Sequence, residues 1–168
     1  MMSDALPWMV VAAGTGAAAA IDLRTRRVPN GLTASLACAG LVLAASGLGP
    51  IGFGSALLAG AVGLVLMLPG HLAGATGGGD VKLLAAAGTL LGPSATFRAF
   101  AFTLMAGAAL ALAVALARGQ LGPTVRRTLR LVSSGGASAG EIRNAGAGNR
   151  IPYAPAIAAG SIAALVFA

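Results

Sequence analysis

Charge is scarce in this chain. Only 9% of its 168 residues are charged, 4 acidic against 11 basic, while 57% are hydrophobic and the mean hydropathy is +0.89. A soluble domain carries about a quarter charged residues, so this composition excludes an ordinary water-facing exterior. Cysteine occurs once, which excludes a disulfide framework and a cysteine-built zinc site. That residue, Cys38, lies mid-segment among Ala, Leu and Gly and reads as a small packing hydrophobe. Histidine also occurs once, at position 71; alone it makes neither a metal site nor a catalytic triad, and a structural role is expected. The residues ahead of the first apolar run carry Asp4 and no basic group, which favours a retained span over a removable signal peptide. No internal repeat is found.

What remains is a set of apolar runs. With about 20 residues needed to cross a bilayer, the segments are read at 7–21, 32–48, 51–69, 81–91, 99–117 and 151–168. The fourth is much too short and the first slightly short. Gly-Pro pairs at 49–50 and 92–93 mark tight turns and make helical hairpins of the segments they join. The expected fold is therefore all-α: a single membrane-embedded domain over 1–168 with about six transmembrane helices. Residues 118–150 form the one long polar region. In its first half Leu121, Val125, Leu129 and Val132 share a helical face, with Arg126, Arg127 and Arg130 elsewhere, which fits a basic helix on a membrane surface or a solvated loop. Its second half is rich in Gly, Ser and Ala and is expected to be flexible.

An outside amino terminus puts ten of the 11 basic residues on the cytoplasmic side and leaves only Arg98 outside, as the positive-inside rule requires. The net charge of +7 is thereby accounted for without a nucleic-acid partner. Arg24, Arg26 and Arg27 serve as topology determinants; a second reading has them tune nearby acids.

The four acids then sort themselves. Asp4 and Glu141 fall in solvated segments. Counting from Pro7 at the outer surface, the helical rise places Asp22 about 22 Å down; counting from Pro93, it places Asp80 about 20 Å down. In a hydrocarbon core about 30 Å thick the two acids share a depth, near the cytoplasmic boundary. An acid at that depth is costly and marks function, and two together suggest one site sharing a proton. Such a pair activates water with one member and protonates a scissile carbonyl with the other. Taken singly, Asp22 reads equally well as an acid paired with Arg24 or Arg26, and Asp80 as a helix N-cap. Chain direction adds an asymmetry: Asp22 ends its helix, where the dipole disfavours negative charge, and Asp80 begins one, where it is favoured. The stretch "GATGGGD" has Asp where a phosphate loop needs Lys, so phosphate binding is rejected. Its glycines are read as leaving room for an extended substrate strand.

Three blocks, "DLRTRRVPN" (22–30), "GGGDVKLLAAAGTLLG" (77–92) and "IPYAPAIAAG" (151–160), resemble the signature blocks of type IV prepilin peptidases, membrane aspartic proteases with a G-x-G-D motif. The similarity is to the short forms serving tight-adherence (Flp-type) pili. It implies Asp22 and Asp80 as the catalytic pair and Gly77, Gly78, Gly79, Lys82, Arg24, Arg27, Pro29, Asn30, Pro152, Tyr153 and Pro155 as supporting residues. Lys82 is expected to hold the motif at the interface without pairing with Asp80, Pro29 and Asn30 to turn the chain into segment two, and Pro152, Tyr153 and Pro155 to shape the start of segment six. The implied reaction is removal of a short basic leader from a prepilin or pseudopilin at the cytoplasmic side of the bacterial inner membrane, with no cofactor or metal. Longer members also carry a zinc-binding cysteine segment and methylate the new terminus. The loop 24–30 has no room for one, so methyltransferase activity is not expected. The rival function for two intramembrane acids is a small ion-coupled transporter or channel subunit.

Overall fold

Long uncharged runs away from water must satisfy their backbone groups within the segment, which selects helices. The computed structural model describes residues 5–117, 119 and 152–167, and among these it contains six helices and no strand. They are α1 (Ala5–Thr25), α2 (Asn30–Ala45), α3 (Phe53–Leu72), α4 (Gly78–Leu91), α5 (Pro93–Ala117) and α6 (Ala154–Val166). Helices α1, α3 and α5 are long and apolar enough to cross a membrane, and α2 and α6 are shorter apolar helices. The all-helical architecture is that of a polytopic membrane bundle. Asp4, Glu141 and the expected basic helix and flexible loop at 118–150, Gly119 excepted, lie outside the described residues.

The helix ends differ from the hydropathy reading where local chemistry overrides it. Helix α5 begins six residues early, because Pro93 suits a first helical position and Gly92, at φ 83°, makes the turn before it. Helix α3 runs three residues past Pro69. Helix α1 runs on to Thr25, so Asp22 lies in its last turn instead of closing it.

The short fourth segment is the centre of the bundle. Helix α4 packs against all five other helices, and Lys82 is its only exposed residue. A helix covered by protein on every side need not match the bilayer's thickness, which is why 14 residues suffice. Large apolar side chains such as Met9, Leu58, Val65, Leu72 and Met105 are exposed instead, as expected of a lipid-facing exterior.

Small residues bring the helices together. A Cβ on Gly88 of α4 would lie 2.6 Å from the Ala59 carbonyl of α3, and one on Gly63 of α3 would lie 2.9 Å from the Leu84 carbonyl of α4. Gly160 of α6 meets α5 in the same way, 2.6 Å from the Ala99 carbonyl. By contrast, a Cβ on Gly16 of α1 would meet nothing within 4 Å. Gly88→Ala should therefore lower the thermal midpoint in detergent, by about 1–3 kcal/mol for overpacking. Gly16→Ala should raise or preserve it, since Ala is favoured over Gly in a helix by up to about 1 kcal/mol.

Candidate active site

Asp22 and Asp80, 4% and 7% exposed, both line one cleft of about 200 Å³ at the end of the bundle where α1 finishes and α2, α4 and α6 begin. Arg26, Arg27, Val28, Gly77, Gly78 and Gly79 complete its lining. At about 30 Å³ per water, the space holds several water molecules.

Each carboxylate is oriented by a backbone donor. Asp80 is the third residue of α4, and its Oδ2 accepts the Gly77 N–H at 2.9 Å, the reach-back half of a capping box. Asp22 Oδ2 accepts the N–H of Ala154, the first residue of α6, at 3.2 Å. Both acids thus sit at helix N-termini, where the dipole favours negative charge. The donor to Asp22 belongs to a second helix, which arrives from 132 residues away.

The glycine run is occupied by the site's own walls. A Cβ on Gly79 would lie 3.0 Å from Val28 Cβ, one on Gly77 would lie 3.0 Å from Asp80 Oδ2, and one on Gly78 would touch the His71 ring at 3.5 Å. Gly79 thereby lets Val28 close on the start of α4, while all three glycines line the cleft. His71 donates through Nδ1 to the Thr76 carbonyl at 3.1 Å and holds the turn ahead of Gly77, the structural role expected of it.

The segment between α1 and α2 forms the opposite wall. Arg26 takes the left-handed conformation at φ 54°, ending α1 and turning Arg27 and Val28 along the cleft. Pro29, at φ −64°, precedes α2 in extended conformation, and its carbonyl accepts Thr33 N–H at 3.3 Å. Lys82 Nζ donates to Asn30 Oδ1 at 2.9 Å, tying the start of α2 to α4. Arg24 is exposed and does not line the cleft. Pro155 occupies the first turn of α6, where its missing N–H costs nothing. Pro152 and Tyr153 lead into that helix. Sequence reasoning did not identify Val28 or the Ala154 N–H, and it gave Arg26 no place in the cleft lining. Both Arg26 and Val28 lie in the block 22–30, and Arg26 was read as a topology determinant, a partner of Asp22 or a group that tunes the acids.

A family model described as the type IV leader peptidase family matches residues 9–112, a span that holds both aspartates and ends before α6. No curated protein and no solved structure matches the chain.

Because a side-chain oxygen is what Ala154 and Gly77 require, Asp22→Asn and Asp80→Asn should stay folded with thermal midpoints near wild type in detergent. Asp22→Leu leaves the buried Ala154 N–H without its acceptor and should cost about 1–3 kcal/mol.

Proposed function

The chain belongs to the type IV leader peptidase family, and from that membership we propose an aspartic endopeptidase in which Asp22 and Asp80 jointly activate one water molecule. One observation carries the reading: two of the chain's 4 acids are buried in an apolar bundle and face the same cleft.

In the proposed reaction the ionised member of the pair takes a proton from water, and the resulting hydroxide oxygen bonds to the scissile carbonyl carbon. The protonated member gives its proton to the carbonyl oxygen. Collapse of the tetrahedral species breaks the C–N bond, and a carboxyl group of the pair protonates the departing amine.

The proposed substrate is a prepilin or pseudopilin with a short basic leader ahead of a hydrophobic helix, as in tight-adherence pilus systems. The proposed setting is the bacterial inner membrane, with several spans, the amino terminus outside and the cleft toward the cytoplasm. Supporting this, the cleft end of the bundle carries Arg24, Arg26, Arg27 and Lys82, while Arg98 lies near the opposite end, in the second turn of α5. The product is released without methylation of its new amino terminus.

Co-expression with a prepilin tests the proposal by the shift in substrate size. Asp22→Asn and Asp80→Asn, both expected to fold, should each lower leader removal at least about 100-fold. Processing at the wild-type rate by either variant would remove the aspartic mechanism.

A further inference from the structure

The family match stops at residue 112, yet the start of α6 reaches the site. Ala154 is fully buried, and its N–H is the donor to Asp22 Oδ2. The placement of that N–H depends on the residue before it. The Tyr153 carbonyl accepts Ala156 N–H at 3.0 Å and Ile157 N–H at 3.2 Å, closing the first turn of α6. The Tyr153 ring lies on Gly107 of α5 so closely that a Cβ there would come within 2.6 Å of Cε2 and Oη and 2.8 Å of Cζ. Cβ atoms are essentially never found at such distances, and Gly107 is itself buried, so a side chain there would displace the tyrosine ring. Pro152 and Pro155, with φ fixed by their rings, restrict the backbone on either side. The chain of contacts runs from α5 through the tyrosine ring to the first turn of α6, and from there to the carboxylate on α1.

We propose that Tyr153 is a positioning residue for hydrolysis: its ring, seated on Gly107, sets the α6 N-terminus so that the Ala154 N–H holds Asp22 in the cleft. This rests on the reading of Asp22 as catalytic. The ring carries most of this contact, through Cε2 and Cζ, with Oη at its edge.

The test is leader cleavage by the full-length protein in detergent, with kcat and KM measured separately on a prepilin. Tyr153→Phe keeps the ring and should stay within about threefold of wild type. Tyr153→Leu and Gly107→Ala should each lower kcat about tenfold or more, the scale expected when a catalytic group is slightly misplaced, with KM changed less than about threefold. Because both changes break one contact, Gly107→Ala combined with Tyr153→Leu should lose no more than the worse single variant. Should Tyr153→Leu fail to fold, Tyr153→Met and Gly107→Ala carry the same comparison. Wild-type kcat in these variants, an additive loss in the double variant, or a Tyr153→Phe as damaged as Tyr153→Leu would overturn the proposal. Asp22→Asn, assayed in parallel, separates the two readings. If it cleaves normally the aspartic mechanism fails; if it is inactive while Tyr153→Leu is unimpaired, only the positioning role fails.

Discussion

A carboxylate inside an apolar bundle has to be held by hydrogen-bond donors of the protein, since an unpaired buried charge costs several kcal/mol. The architecture around the cleft follows from that constraint. Asp80 takes its donor locally, from the Gly77 N–H at the start of its own helix. Asp22 takes its donor from a distant one, the first N–H of α6. Free helix N-termini are the natural source, because their first N–H groups have no partner within the helix. Assembling the site therefore means bringing the last turn of α1 and the first turns of α4 and α6 to one end of the bundle.

The central position of α4 serves the same end. Its N-terminus reaches the cleft, and a helix sheathed by five others can be short without exposing backbone to lipid. Close packing around it relies on glycines whose missing side chains admit backbone carbonyls of the neighbouring helix. At the cleft the same device recurs: the space beside Gly79 holds Val28, so the α1–α2 connection closes against the first turn of α4. The Lys82–Asn30 hydrogen bond spans that connection on the exposed side. The wall bearing Arg26 and Arg27 is thus fastened to α4 by an apolar contact and a polar one.

Much of this was legible in the sequence, for identifiable reasons. Acids were so few that each needed an explanation, and the constant rise of a helix turned residue counts into depths, which brought Asp22 and Asp80 to one level. The six helices followed from hydropathy and two Gly-Pro turns. The ends were less readable: Pro93 started α5 earlier than its apolar run, and α1 carried on through Arg24 because polar side chains do not by themselves end a helix. The glycine run was read as space for a substrate, and nothing in its pattern showed that Val28 packs on Gly79. Contacts across long separations left no trace in the chain. The Ala154 donor to Asp22 and the seating of Tyr153 on Gly107 depend on how α5 and α6 pack, and no periodicity encodes that.

The central claim is that the carboxylates at 22 and 80 converge on one bridging water. It is tested most directly by replacing both with cysteine, Asp22→Cys and Asp80→Cys, in a Cys38→Ser background that removes the chain's one native thiol. A short bifunctional thiol reagent should then link the two positions within one chain, seen as a single bridged adduct by mass spectrometry. Two separate adducts with no bridge would contradict the account.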